Sequence, residues 1–143
     1  MLEVDVVRIS VIVPIYNVKL YIERCVRSLM EQTLENIEFI FVNDCTPDDS
    51  MDILHYVLEE YPKRREQIKI IEHETNRGIS AVRNTGLKNA TGQYIIYCDS
   101  DDWVEKNMYE KLLVKALETS ADIVGCDFFD DYVAHSTIRK QLF

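Results

Sequence analysis

Glycine is scarce in this 143-residue chain, with only Gly78, Gly86, Gly92 and Gly125 present. Neither a G-x-G-x-x-G loop nor a lysine-bearing phosphate loop can be written with them, which excludes the classical dinucleotide and ATP-loop sites. The four cysteines, Cys25, Cys45, Cys98 and Cys126, include no C-x-x-C pair. They read as reduced, mostly buried thiols, which suits the cytoplasm better than a secreted setting. His55, His73 and His135 do not pair with them at ligand spacing, so no zinc site is expected and the histidines are given no chemistry. No apolar run approaches the ~20 residues of a bilayer span, and no basic-then-apolar leader opens the chain. The expectation is a cytoplasmic protein with no transmembrane segment here, leaving a peripheral membrane association open. Basic residues are outnumbered, 16 against 25 acids, for a net charge of −9. Nucleic acid is therefore not an expected partner. The one dense basic run, Lys63-Arg64-Arg65, follows Pro62 at a helix end and reads as a solvated turn.

What is present is a respectable core: 47% of the residues are hydrophobic, enough for a single domain over residues 1–143. Ile9 to Val13 is a β-branched strand ended by Pro14. From Leu20 to Gln32, Ile22, Cys25, Val26, Leu29 and Met30 recur at helical spacing. Ile37 to Val42 is a second strand, after which Thr46 reads as an N-cap with Pro47 in the first turn. A helix with Leu54, Val57, Leu58 and Tyr61 on one face is stopped by Pro62. Ile68 to Ile71 is a third strand, and a helix carrying Ile79, Val82 and Leu87 is closed by Gly92. Tyr94 to Cys98 is a fourth strand, apolar enough to be buried. A helix around Met108, Leu112 and Ala116 follows, then a fifth strand from Asp122 to Phe128. Strand and helix alternate, which predicts an α/β fold: a mainly parallel sheet with helices on both faces, joined by right-handed crossovers.

Such a sheet exposes its strand ends along one edge, where open α/β folds bind ligands. That edge carries Pro14, Ile15, Tyr16 and Asn17, then Asn43 and Asp44, then Asp99, Ser100, Asp101 and Asp102. Crowded carboxylates repel unless a cation or polar ligand sits among them. Asp44 could accept a base N–H, and Asp99 could accept ribose hydroxyls. Asp101 could hold Mg²⁺ or Mn²⁺, which take one or two protein carboxylates together with substrate phosphates. Bland explanations compete at each position: a turn for Asp44, a surface ion pair for Arg83, helix capping for Asn17 and Asn76, and half-buried packing for Trp103. For Asp102 the competing explanation is a capping box with Glu105.

In order along the chain, Ser10-Val11-Ile12-Val13-Pro14-Ile15-Tyr16-Asn17, Val42-Asn43-Asp44, Asn76-Arg77-Gly78 with Ala81-Val82-Arg83-Asn84-Thr85-Gly86, and Gly92-Gln93-Tyr94 leading to Asp99-Ser100-Asp101-Asp102 resemble family 2 glycosyltransferases. The match covers about Ile9 to Phe128. Each motif alone is weak, whereas the ordered set is specific. The resemblance implies an inverting enzyme of the GT-A fold, with a Rossmann-like nucleotide-binding half, acting in polysaccharide biosynthesis. It would transfer a hexosyl group from a nucleotide-diphosphate sugar, UDP-linked in the first instance, to a glycan or lipid-linked acceptor. The base would lie near Pro14 to Tyr16, with Asp44 accepting the uracil N3–H and Arg83 helping to hold the nucleotide. Asp99-Ser100-Asp101 would be the D-x-D motif, with Asp99 on ribose and Asp101 on a Mn²⁺ or Mg²⁺ that stabilises the departing diphosphate.

Two departures from the family pattern matter. Asn43 replaces the first of the usual paired acids, and Cys45 stands where glycine is common. Family members also carry an acceptor-binding half and the catalytic base downstream, so the general base is expected beyond Phe143, and the acids Asp127, Asp130 and Asp131 are given no such role. Oligomeric state is left open, a homodimer included. Two rivals stand beside this reading: a non-catalytic nucleotide-sugar-binding module, and a haloacid-dehalogenase-like phosphatase. The latter places its similar D-x-D nucleophile motif after the first strand of its core, not the fourth.

Overall fold

The computed structural model describes residues 7–131 and 136–139, and these form two compact units, residues 1–109 and 110–143. In the first unit, β1 (Ile9–Ile15), α1 (Ile22–Met30), β2 (Ile37–Asn43), α2 (Ser50–Glu59), a 3-10 turn (Pro62–Gln67), β3 (Ile68–Glu72), α3 (Ile79–Asn89) and β4 (Tyr94–Tyr97) follow in order. The strands make one parallel sheet in the order β3-β2-β1-β4. Alternation along the strands sends Ile12, Ile40 and Val42 to one face, where they pack with Val82 of α3. It sends Val11, Val13, Phe39 and Phe41 to the other, and these are also fully buried. Both faces are therefore covered, as the long β-branched runs require. α1 buries the expected stripe of Ile22, Cys25, Val26, Leu29 and Met30, starting two residues later than its periodicity suggested, with Leu20 left exposed.

Pro14 does not end β1. The strand runs through it to Ile15, paired with Val42 and Asn43. The missing N–H faces the β4 side, because Ile12 and Pro14 point the same way and Cys98 N–H already donates to the Ile12 carbonyl. Registered pairing with β4 stops at Tyr97, so proline removes no ladder bond there. β4 itself is an edge strand of this sheet and only half-buried, contrary to the expectation from its apolar sequence. Gly92 does not close α3, which ends at Asn89. It lets the chain pass β1, since a Cβ there would lie 2.6 Å from the backbone nitrogen of Ser10.

Within the basic run Lys63 and Arg65 are exposed, as a solvated turn requires, but Arg64 is not. It is buried, donating to the carbonyls of Met30 (3.2 Å), Leu34 (3.1 Å) and Gln32 and to Gln67 Oε1 (2.8 Å). The Met30 carbonyl is among those left without a helical partner at the end of α1, and the other two lie in the loop that follows it. Lysine keeps the charge, but its three donors sit on one nitrogen and cannot span the four acceptors that the planar guanidinium reaches. Arg64→Lys is therefore expected to cost about 2 kcal/mol, a fall in Tm of roughly 5–8 °C by thermal melting.

In the second unit lie most of α4 (Met108–Thr119), β5 (Phe128–Asp131) and β6 (Ser136–Arg139), the last two forming an antiparallel pair. The fifth parallel strand expected at Asp122 to Phe128 is absent: residues 122–127 are irregular and Ile123 is 87% exposed. A short apolar run becomes a strand only where a partner meets it. Most of the tail after Phe128 lies outside the described residues. Among the described residues no helix is long and apolar enough to cross a membrane.

Candidate functional site

β1 pairs in parallel with both neighbours, so the C-terminal ends of β2, β1 and β4 lie side by side with Pro14 and Ile15 in the middle. On one flank the Ile15 carbonyl accepts the Asp44 N–H at 3.0 Å. On the other the Pro14 carbonyl accepts the Ser100 hydroxyl at 2.6 Å. The side chain of Ile15 is buried in the core, so this residue serves the edge through its backbone, whereas Tyr16 is exposed beside it.

Asp44 is buried. Its Oδ1 accepts from His73 Nδ1 (2.7 Å) and from the backbone N–H of Arg77 (2.9 Å), and its Oδ2 from the N–H of Gly78 (2.8 Å). Burial alone would push its carboxyl up, but the His73 bond and the two amides outweigh it and hold Asp44 below the usual carboxylate range. Gly78 lies at φ 83°, ψ 164°, a conformation essentially reserved for glycine, and this turns its N–H onto Asp44. The N-cap of α3 is thus Gly78, not Asn76. Neither are Asn17 and Thr46 helix caps. Asn17 sits at φ 53° with its N–H on Thr46 Oγ1, and Thr46 donates to Asp48, which accepts the Ser50 N–H at the start of α2. Asn43 Oδ1 accepts the Thr46 N–H and closes the turn around Cys45. Cys45 is exposed and left-handed at φ 58°, which explains physically why glycine suits that position.

On the β4 flank, Arg83 of α3 pairs with Asp99 at 3.2 Å, the two side chains 41% and 49% exposed, and its guanidinium lies 5.4 Å from the centre of the Tyr97 ring. The thiols of Cys25 and Cys98 both lean on the Asp99 carbonyl from below. Cys98 and burial together raise the Cys25 thiol, leaving it unreactive. Asp101 is exposed and makes no hydrogen bond or ion pair among the described residues. Asp102 is pushed up by burial and by the like charges of Asp101 and Asp99. It does not cap a helix, since residues 102–105 are irregular and α4 begins only at Met108. Trp103 is a packing residue, stacked against the Arg24 guanidinium at 4.3 Å.

One functional side chain escaped sequence reasoning: His73. It is the first residue past β3, and the pairing of Asn43 with Glu72 sets it beside Asp44. Its place just past the end of a strand was the available signal.

Three comparisons bear on this edge. The pattern described as glycosyl transferase family 2 matches residues 10–142. The chain is 48% identical over 121 residues to the uncharacterized glycosyltransferase EpsJ of Bacillus subtilis, covering 85% of this chain and 34% of that protein. Among solved structures it is similar to S. aureus TarS 1-349 in complex with UDP, with TM-score 0.71, 32% identity, and coverage of 80% and 33%. It is also similar to the mannosyltransferase PcManGT from Pyrobaculum calidifontis in complex with GDP-Man and Mn²⁺, with TM-score 0.68, 26% identity, and coverage of 80% and 32%. The chain spans about a third of the length of each. The family match, the identity to EpsJ and the mostly parallel sheet with flanking helices agree, and the chain belongs to glycosyl transferase family 2, with the GT-A fold.

Proposed function

We propose that this chain is the nucleotide-sugar-binding part of a metal-dependent, inverting glycosyltransferase that moves a hexosyl group from a UDP-sugar to a glycan or lipid-linked acceptor. The observation that carries this is the strand edge itself. Asp44 stands on one side of Pro14 and Ile15, and the Arg83–Asp99 pair with the free Asp101 stands on the other. A carboxylate offers about four acceptor sites. Three on Asp44 are filled, and the one left on Oδ2 suits a single N–H such as that of uracil N3. The Arg83–Asp99 pair is half in water and worth only about 0–1 kcal/mol, so a ligand can part it at small cost. Arg83 is then available to a diphosphate and Asp99 to ribose hydroxyls. TarS with UDP and PcManGT with GDP-Man and Mn²⁺ support a nucleotide ligand for this edge by similarity.

The residues fit a divalent cation. Asp99, Asp101 and Asp102 crowd into four positions, and of the three Asp99 alone has an arginine partner among the described residues. That set suits a Mn²⁺ or Mg²⁺ that takes one or two carboxylates and completes its shell with phosphates and water. Bound at Asp101, the metal would stabilise negative charge on the departing diphosphate as a Lewis acid. The acceptor site and the general base belong, in this reading, to the two thirds of the relatives that the chain does not span. Cytoplasmic placement, at a membrane surface if the acceptor is lipid-linked, completes the proposal.

Calorimetric titration with UDP tests it. Binding is expected in Mn²⁺ or Mg²⁺ with quenching of Trp103 fluorescence, and equal affinity in EDTA would remove the metal from the account. The other reading is a nucleotide-sugar-binding module without catalysis. Slow UDP-sugar hydrolysis that disappears in Asp101→Ala would count against it.

A further inference from the structure

Asp44, His73 and Thr85 form one hydrogen-bonded chain running from the end of β2 through the end of β3 into α3. His73 Nδ1 is 2.7 Å from Asp44 Oδ1, and Nε2 is 2.8 Å from Thr85 Oγ1. The side chains of His73 and Asp44 are 5% and 3% exposed, so neither can exchange its partner for water. An ionised carboxylate only accepts, so Nδ1 carries a proton facing Asp44 in either charge state of the ring. Nε2 then accepts from the Thr85 hydroxyl when the ring is neutral and donates to it when the ring is charged, so the imidazole plane is fixed in both cases. Thr85 is a firm anchor. Next to it, Gly86 lies so close to β1 that a Cβ would sit 2.3 Å from Ile12 Cγ2, and α3 is seated against the sheet at that point.

We propose that His73 and Thr85 are positioning residues which orient the Asp44 carboxylate, and so make the site select a nucleoside diphosphate whose base presents an N–H over one presenting a lone pair. This rests on the nucleotide reading above and goes beyond it by naming what sets base choice. The Arg77 and Gly78 amides reach Asp44 from the loop before α3, one to each oxygen. The imidazole adds a side-chain donor from just past the end of β3 and reinforces the orientation that the amides give the carboxylate about its Cβ–Cγ bond. With these three donors in place, one Oδ2 acceptor site is left without a partner among the described residues, and Asp44 acts purely as an acceptor. A uracil N3–H satisfies that site. A cytosine N3 directs a lone pair at it and leaves two acceptors face to face, which a buried site penalises.

The test is calorimetric titration of UDP and CDP, with Mn²⁺ present, into the wild-type chain and into His73→Leu, His73→Asn and Thr85→Val. The wild type is expected to prefer UDP at least about tenfold. His73→Leu should lose most of that preference. His73→Asn, whose amide can take the place of Nδ1–H, should retain it, and Thr85→Val should lose about threefold. A purely structural role would weaken both nucleotides alike and leave their ratio unmoved. An unchanged ratio in His73→Leu overturns the inference. If that variant does not fold by circular dichroism, an unchanged ratio in Thr85→Val does so. Equal binding of UDP and CDP by the wild type overturns this inference and spares the nucleotide site, while no binding of UDP overturns both.

Discussion

Alanine at Asp101 is expected to raise the dissociation constant of UDP in Mn²⁺ about a hundredfold, roughly 2.7 kcal/mol, while leaving the value in EDTA unchanged. The expectation follows from how differently the acids of this motif are held. Asp99 is tied to Arg83, and Ser100 is pinned to the Pro14 carbonyl. The segment beyond is anchored through the Val104 N–H on Ser28 Oγ and the Glu105 carbonyl on Gln32 Nε2. Asp101 takes part in none of this. Its removal breaks no bond among the described residues, so the fold should survive, and the Tm of the free chain should hold or rise slightly as repulsion on Asp102 falls. Loss of affinity confined to Mn²⁺ would mark Asp101 as a metal ligand. A parallel loss in EDTA would make it a direct nucleotide contact instead, and no loss at all would take it out of the site.

Replacing Glu38 by alanine should cost on the order of 3–4 kcal/mol, an effect on stability and not on the ligand. Glu38 lies in β2 with its side chain 6% exposed. Its Oε1 accepts from Ser10 Oγ (2.6 Å), the Thr91 N–H (2.6 Å) and Thr91 Oγ1 (3.0 Å), and Oε2 meets Lys69 Nζ at 2.8 Å. One carboxylate thereby ties β1, β3 and the turn before β4 to β2. Burial would raise its pKa, yet the Lys69, Ser10 and Thr91 bonds pull it from 4.5 to about 2. Because the folded value is depressed, this stabilisation is complete above about pH 4.5 and is lost as pH falls towards 2. Lys69 is 42% exposed, so its share is discounted for screening. Glu38→Gln should therefore lose roughly 2 kcal/mol at pH 7 and flatten, without abolishing, the acid slope. Asp44 is also held below the usual carboxylate range and Asp48 lies near 2, so the acid sensitivity does not rest on Glu38 alone. Chemical denaturation at pH 7 and pH 3 would show it, and an unchanged pH dependence would contradict the assignment.

The legible and illegible parts of this chain divide by range. Ile9 to Val13 and Ile37 to Val42 announce buried parallel strands because their apolar side chains follow one another without a polar gap. The stripe on α1 shows in the spacing of Ile22, Cys25, Val26 and Leu29. The D-x-D stretch was visible because three carboxylates at a strand end have no ordinary structural use together. By contrast, Asp122 to Phe128 reads as a strand although residues 122–127 are irregular, and Arg64 reads as solvated although it is buried. Pairing and burial depend on what arrives from elsewhere in the chain, and no window of residues records it.

Sequence alone determined the α/β class, the succession of strands in the first unit and the family motifs, all of which rest on local periodicity and on residue types that chemistry restricts. Tertiary structure decided what those residues do. It set Asp44 between His73, Arg77 and Gly78, coupled Arg83 to Asp99 and left Asp101 without a partner among the described residues. It also made β4 an edge. Hydrogen bonds between groups about 30 residues apart, such as Asp44 and His73, follow from strand order and register, and these emerge only when the whole sheet assembles.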